Sequence, residues 1–269
     1  MDMTDGTGTP EPPRRPGPPA PAGKSMKRRT HNAFTLIELL IVISIILILT
    51  TMLVPSLRAA KELAQAAQCQ SNLHDLGVAM GMYHTENDGA FWPYSLPNCP
   101  TTGVRCYFWG TDADPVDRKP SPFLKQCNYN LAYLWCPSFR WGTYTPQGGY
   151  VSEPTTTYGY NARYLDPGLN GKTCRKATAV PRPAGLFVLA DSAMSWAPAG
   201  VTIFQNSTYL EPVAGSWVQT PTNHFRHRGR TGALCADGHA GLFDTEGWNL
   251  DTTTNLGFVG TRNNPHYEQ

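Results

Sequence analysis

The chain changes its hydrophobic rhythm three times. From Phe34 to Val54 (FTLIELLIVISIILILTTMLV) apolar side chains are nearly continuous over 21 residues, and Glu38 is the single charge. As a helix, that run is roughly 31 Å long at about 1.5 Å per residue, enough to cross the hydrocarbon core of a bilayer. Beyond it, Ala59, Leu63, Ala66, Cys69, Leu73, Leu76, Met80 and Tyr83 recur at spacings of three and four, with Lys61, Glu62, Gln65, Gln68, Asp75 and His84 in between. This is the pattern of a helix with one apolar stripe. No proline interrupts it after Pro55, and Asn87-Asp88-Gly89 is a stop-and-turn signal. The two segments predict one helix over Phe34–Thr85 whose second half needs a surface to cover its stripe. A free coiled coil is the alternative, but the stripe is short and Ala-rich, which favours packing on the chain's own globular part.

The third rhythm is short and irregular. Residues 89–180 are rich in Pro, Gly, Tyr and Trp and predict loops, short strands and a short helix near Ser121–Leu134. Gly185–Ala190 (GLFVLA), Val201–Phe204 and Gly232–Ala236 then read as strands. Asp237-Gly238 reads as a type I′ hairpin turn, because Gly supplies the positive φ, with His239–Phe243 as the returning strand. A helix followed by an antiparallel sheet is an α+β fold, with the helix laid along a small sheet. The expected organisation is a disordered extension and basic leader over 1–33, a transmembrane helix over 34–54, an amphipathic continuation over 55–88 and a globular domain over 89–269.

Charge sharpens this picture. Only 16% of the 269 residues are charged and the formal net charge is +2, too balanced for a nucleic-acid-binding face. The imbalance is local. Residues 1–33 carry six Lys/Arg (Arg14, Arg15, Lys24, Lys27, Arg28, Arg29) against three acids, and the remainder is slightly acidic. Residues 6–23 are Pro/Gly-rich and cannot build a core. Met26 opens a second plausible start, MKRRTHNA, so residues 1–25 are either a mis-assigned start or a dispensable extension. The cluster Lys24–Arg29 precedes the apolar run and no such cluster follows it, which places the N-terminus in the cytoplasm and the bulk of the chain outside. A cleaved secretory signal is the competing reading. Its apolar region is usually shorter and ends in a small-x-small site, whereas this run ends at Val54-Pro55-Ser56.

Glu38 is the informative flaw in that run. A carboxylate at the centre of a membrane helix costs roughly 2.5–3.5 kcal/mol, and less near the edge. Either it snorkels to the cytoplasmic boundary or a partner cation offsets it. The stretch Ala33-Phe34-Thr35-Leu36-Ile37-Glu38-Leu39-Leu40 behind a basic leader resembles the prepilin-type signal of type IV pilins and type II secretion pseudopilins. The resemblance implies cleavage between Ala33 and Phe34 by a membrane peptidase, N-methylation of Phe34, and retention of the apolar segment as an anchor. It also implies that Glu38, fifth in the processed chain, pairs with the Phe amine of a neighbouring subunit. Pro55 falls where pilins often carry a helix-kinking proline. Ala33 departs from the Gly usual before the cut.

Further motifs resemble a pseudopilin-like group best known from planctomycetes. They are Cys69-x-x-Asn72-Leu73-x-x-Leu76-Gly77, then Tyr83, Asn87, Gly89 and Pro93, then Cys136-Pro137-Ser138, Tyr158-Gly159-Tyr160-Asn161 and Leu189-Ala190-Asp191-Ser192. His227, nine residues, and Asp237-Gly238 complete that group's processing-associated H-x9-DG pattern. The resemblance covers most of residues 26–243, and the order of the motifs carries it.

Candidate chemistry is sparse. His227 and Asp237 can in principle bind metal or move protons, but an Asp-Gly hairpin turn and a His bonded to a nearby loop account for them structurally. His224, His227, His239 and His266 lack a metal-motif spacing, and no GxSxG, P-loop or dinucleotide-binding glycine pattern is present. Asp191, Asp237 and Asp244 can supply oxygens to Ca²⁺, and some pseudopilins bind calcium in this part of the fold. The loop signature is absent, and no metal residue is assigned. Seven cysteines without a CxxC pair argue against zinc and thioredoxin-like chemistry. Export makes disulfides reasonable among Cys99, Cys106, Cys127, Cys136, Cys174 and Cys235, with Cys69 a buried free thiol of the helix. Trp92, Trp109, Trp135, Trp141, Trp196, Trp217 and Trp248 offer rings for glycan binding, though core packing is their commoner role.

The sequence thus points to a non-enzymatic pilin-like subunit in the inner membrane. Its implied partners are a prepilin peptidase, other pseudopilin subunits, an inner-membrane assembly platform and membrane lipid, with no nucleic acid. The alternative is a membrane-anchored extracytoplasmic binding module, glycan being its candidate ligand.

Overall fold

The computed structural model describes Gly17 and residues 34–97, 105–111, 117, 119–139, 155–169, 172–196, 203–205, 207–210, 221–245, 250–257, 259 and 266–267. The chain divides into two compact units, Met1–Thr51 and Met52–Gln269. Helix α1 (Leu36–Glu86) begins in the first and ends in the second, continuing through Pro55. Its start matches the expected boundary within two residues. The basic leader and Ala33 lie outside the described residues.

In the first unit, all residues from Phe34 to Thr51 are exposed. A capping box opens the helix. The Glu38 N–H donates to Thr35 Oγ1 (3.3 Å), and the Thr35 N–H donates back to Glu38 Oε2 (2.9 Å). Two helix-end donors that the helix cannot satisfy itself are thereby paired. Ser44, Thr50 and Thr51 turn their hydroxyls onto carbonyls one turn back, so these polar groups are satisfied within the apolar run.

In the second unit, α1 buries Ala66, Cys69, Asn72, Leu73, Leu76, Gly77, Ala79, Met80 and Tyr83. The expected stripe is present from Ala66 onward. Leu63 is exposed, because 3.6 residues per turn carry it to the stripe's margin. Asn87 and Asp88 lead into Gly89 at φ 73°, where the chain leaves the helix.

The stripe packs against a four-stranded antiparallel sheet. It is built from β4 (Tyr158–Tyr160), β5 (Phe187–Asp191), β9 (Arg230–Cys235) and β10 (Ala240–Asp244), in the order β10-β9-β5-β4. Every residue of β5 is buried, as its unbroken apolar run FVLA requires. Shorter pairings surround this sheet. One joins β1 (Ser95–Leu96), β2 (Cys106–Tyr107) and β3 (Gly110–Thr111); another joins β6 (Met194–Trp196) and β7 (Ile203–Gln205). The last joins β8 (Asn223–His224), β11 (Leu250–Asp251) and β12 (Leu256–Gly257). A one-turn helix α2 (Ala162–Leu165) follows β4.

Two local expectations are corrected. The helix expected near Ser121–Leu134 is a pair of 3-10 turns, Leu124–Cys127 and Leu131–Leu134. Asn128 and Tyr129 between them take φ 48° and 55°, a left-handed stop that an α-helix cannot pass. The β9–β10 turn is not type I′. Gly238 has φ 94°, but Asp237 is not left-handed, and the Gly238 N–H donates to the Cys235 carbonyl while the Cys235 N–H donates to that of His239. This is a three-residue loop, a type I turn closed by a left-handed glycine.

The core is aromatic. Trp92 lies stacked between Phe123 (4.0 Å between centroids) and Tyr160 (5.0 Å), and Trp109 is buried beside Tyr107. These rings are packing elements rather than an open glycan platform. Trp141, Trp217 and Trp248, and the side chain of Trp196, lie outside the described residues. The expected disulfides are also absent among the described residues. Cys69, Cys127, Cys136, Cys174 and Cys235 are not joined by a disulfide; Cys69 and Cys136 lie close together in one buried cluster. Cys99 lies outside the described residues.

Candidate functional site

Two places carry chemistry, one in each unit. The first is the N-terminal turn of α1. Phe34 is 73% exposed and Glu38 is exposed on the same turn. Both the N–H and the O–H of Thr35 donate to one carboxylate oxygen, Oε2, at 2.9 and 2.7 Å. The second oxygen, Oε1, remains available to a cation. The helix from here is long and apolar enough to cross a membrane.

The second place is buried beneath α1, where four residues from distant parts of the sequence meet. Cys69 comes from the helix stripe, Cys136 from the segment after the second 3-10 turn, Asp191 from the end of β5 and His227 from the turn between β8 and β9. One ligand-type atom from each lies within 4.8 Å of all the others, and all four residues are buried. His227 Nε2 is 3.0 Å from Asp191 Oδ2 and 3.3 Å from Cys136 Sγ. Cys69 Sγ is 3.8 Å from Asp191 Oδ1.

Local structure aims each group. Gly232 on β9 brings its N–H to Asp191 Oδ2 at 2.8 Å. A Cβ at Gly232 would stand 3.1 Å from that oxygen and 3.2 Å from Cys69 Sγ, so glycine leaves room for the cluster. Arg226 reaches Asp191 Oδ1 (3.5 Å) and donates to the Ser192 carbonyl (2.7 Å). Ser138 Oγ faces His227 Nδ1 at 3.4 Å, Tyr158 Oη faces Cys69 Sγ at 3.2 Å, and Thr157 Oγ1 accepts from the Cys136 N–H.

The electrostatics follow from burial and pairing. Burial pushes the Asp191 carboxyl up, but the Arg226 charge and the His227 contact outweigh it and hold the group below the ordinary range. Burial lowers His227, yet its contacts with Asp191 and Cys136 raise it to about 9. Of the two thiols, Cys69 is raised by burial. Burial also raises Cys136, but its bonds to Cys69 and His227 and the Arg226 charge bring it down to about 6. His224 alongside is pushed down to about 3, by burial first and then by Arg226, whose Nε donates to His224 Nδ1 at 2.9 Å. A Cys-His-Asp nucleophile arrangement is not formed. In such triads the acid holds the second ring nitrogen, whereas here Cys136 and Asp191 both face Nε2.

His227, Asp237 and Gly238, grouped in sequence by the H-x9-DG pattern, do different jobs. His227 belongs to the buried cluster. Asp237 Oδ1 accepts from the His239 N–H (3.1 Å) and faces its Nδ1 (2.7 Å), while Gly238 closes the β9–β10 turn. That turn abuts α1: a Cβ on Gly77 would stand 2.7 Å from the Gly238 carbonyl oxygen. Asp191, Asp237 and Asp244 do not form one calcium-type ligand group among the described residues. Asp191 pairs with Arg226 and His227, Asp237 with His239, and Asp244 lies 3.9 Å from Arg230. Sequence reading missed the convergence of Cys69, Cys136 and Asp191 on His227, because no two of them share a local spacing. The only signal was that each stands in a separate motif of one ordered series.

Comparison with known proteins agrees with this anatomy. The family model for the prokaryotic N-terminal methylation motif matches residues 28–54. The type II secretion system core protein G of Aeromonas hydrophila is 36% identical over 148 residues, covering 55% of this chain and 81% of that protein. Its counterpart from Klebsiella pneumoniae is 28% identical over 145 residues, covering 53% of this chain and 79% of that protein. No solved structure matches. With the methylation motif, the long apolar helix and these two relatives, the chain belongs to the type II secretion system core protein G family of pseudopilins, which are structural subunits and not enzymes.

Proposed function

We propose that the chain is made as a prepilin, is cut between Ala33 and Phe34, is N-methylated on Phe34 and then assembles through α1 into a pseudopilus of a type II-like secretion system. In this reading it is a single-pass protein of the inner membrane, with its N-terminus cytoplasmic and the second unit outside. A prepilin peptidase processes it, and an inner-membrane platform and sibling subunits receive it.

The observation that carries the reading is the state of Glu38. It is the one charge in the exposed apolar run Phe34–Val54, and only one of its two oxygens is engaged, by Thr35. A carboxylate in hydrocarbon costs roughly 2.5–3.5 kcal/mol at mid-depth. The ammonium created at Phe34 by processing is a cation of matching position on an adjacent subunit. Pairing the two removes both charges from lipid as helices gather into a bundle, which favours the polymer over the lipid-solvated monomer.

Mass spectrometry of the N-terminus of membrane-extracted protein is the direct test: the expected start is N-methylated Phe34, and an intact leader rejects the proposal. For assembly, Glu38→Ala is expected to be processed normally yet to give few cross-linked α1–α1 oligomers. Wild-type levels of oligomer in that variant would remove the pairing.

A further inference from the structure

We propose that Cys69, Cys136, Asp191 and His227 hold one structural Zn²⁺ ion beneath α1. Their ligand atoms converge, one from each residue lying within 4.8 Å of all the others. Cys136 Sγ and Asp191 Oδ2 share a single imidazole nitrogen, His227 Nε2, and Cys69 Sγ lies 3.8 and 3.9 Å from the two carboxylate oxygens. A metal at the centre replaces that shared contact with four bonds.

The dimensions suit a tetrahedron. With metal–sulfur bonds of about 2.3 Å and metal–nitrogen or –oxygen bonds of about 2.0–2.1 Å, tetrahedral edges run from roughly 3.3 to 3.8 Å. Taking Asp191 Oδ2 as the carboxylate ligand, the observed separations are 3.0 Å to His227 Nε2 and 3.9 Å to Cys69 Sγ, with 3.3 Å from Nε2 to Cys136 Sγ, each of these edges a few tenths of an ångström from the ideal figure at most, and every pair within 4.8 Å. The donor set selects the ion. Two thiolates and an imidazole are soft ligands that calcium and magnesium, which want oxygen, do not take. The charges balance as well. Two thiolates and a carboxylate are met by a divalent ion together with Arg226, 3.5 Å from Asp191 Oδ1.

An outer shell is already built. Gly232 N–H bonds the carboxylate, Ser138 faces the far nitrogen of His227, and Tyr158 faces Cys69 Sγ. Such partners orient metal ligands and fix the histidine tautomer. All four ligands are protein groups and all are buried, so no position is left for substrate or water, which marks a structural site. The ion would tie α1, the segment after the second 3-10 turn, β5 and the β8–β9 turn to one another. The ordered motifs containing Cys69, Cys136, Tyr158, Asp191 and His227 then have a single physical cause.

The test uses the full chain purified in detergent, without chelator and under reducing conditions. Plasma mass spectrometry is expected to find about one zinc per chain. Cobalt loaded in its place is expected to give intense tetrahedral absorption bands and sulfur-to-cobalt charge transfer, displaced by added zinc. Cys69→Ser is expected to lose the metal and with it the charge-transfer band, and Cys235→Ser, a buried thiol elsewhere, to keep both. The cobalt spectrum of the wild-type chain decides the matter even if Cys69→Ser does not fold. Absence of metal after zinc loading, another metal in stoichiometric amount, a cobalt spectrum without sulfur character, or a Cys69–Cys136 disulfide in the exported protein would each overturn the site.

Discussion

At the scale of single residues, two glycines of α1 separate packing from propensity. Gly77 faces the sheet, and a Cβ there would meet the Gly238 carbonyl oxygen at 2.7 Å and Leu234 Cδ1 at 2.9 Å. The carbonyl is backbone and cannot rotate aside. Gly77→Ala is expected to destabilise the second unit by about 1–2 kcal/mol, an overpacking cost of about 1–3 kcal/mol partly offset by alanine's better helix propensity. Gly81 sits on the exposed side, and a Cβ there would meet nothing within 4 Å. There only propensity acts, and Gly81→Ala is expected to stabilise by about 0.5–1 kcal/mol. Urea unfolding of the two variants should shift in opposite directions; a shared sign would mean that Gly77 is not in contact with the β9–β10 turn. The sequence made the stripe legible but not this contact, since a glycine carries no hydrophobic signal. It made the buried ligands illegible for a related reason: Cys69, Cys136, Asp191 and His227 are separated by at least 36 residues at each step. Metal motifs are recognised by local spacing, and here only the fold brings the ligands together.

At the scale of elements, the helix fixes the segment that delivers Cys136. Asn72 is buried on α1 and donates from Nδ2 to the carbonyls of Ala132 (3.1 Å) and Trp135 (2.9 Å), while its Oδ1 accepts from Gln68 (3.0 Å). The segment is pinned again from the sheet side, where the Thr157 N–H donates to the Leu134 carbonyl (3.0 Å). Asn72→Leu keeps the bulk but removes both side-chain hydrogen bonds to these carbonyls, the Ala132 carbonyl keeping the Trp135 N–H (3.3 Å), at a cost of about 1–3 kcal/mol for two hydrogen bonds of about 0.5–1.5 kcal/mol each. The expected outcome is lower stability together with faster hydrogen exchange at the Cys136 and Thr157 amides. Unchanged exchange there would mean that α1 does not hold the segment. Elements with a sustained period were readable in advance. α1, β5, β9 and β10 lie close to where the apolar pattern put them, because burial on one side enforces the period. The 3-10 turns were not readable, because left-handed Asn128 and Tyr129 override the helical tendency of Leu131–Leu134; Asn tolerates a positive φ but occurs in many other conformations, and Tyr gives no such signal.

At the scale of the whole chain, the buried positions of α1 are confined to its second half. Among the described residues, every buried residue of α1 lies at or beyond Ala66, and no core residue of the second unit comes from before it. In the proposed function this leaves the apolar run to lipid and neighbouring helices. A chain beginning at Ser56 is expected to keep the near-ultraviolet dichroism of the full chain in detergent, and its urea midpoint to match within experimental scatter, since it exposes no buried apolar area. It should also remain soluble without detergent. A chain beginning at Gln70 removes Ala66 and Cys69 while leaving Leu73, Leu76, Met80 and Tyr83 in place. It is expected to lose a large part of its stability, because Cys69 is fully buried against Tyr158 and Asp191 and its loss opens a cavity lined with polar groups. A Ser56 fragment that aggregates or melts early would show that the apolar run contributes to folding as well as to anchoring. Equal stability of the two fragments would place the true edge of the core beyond Cys69.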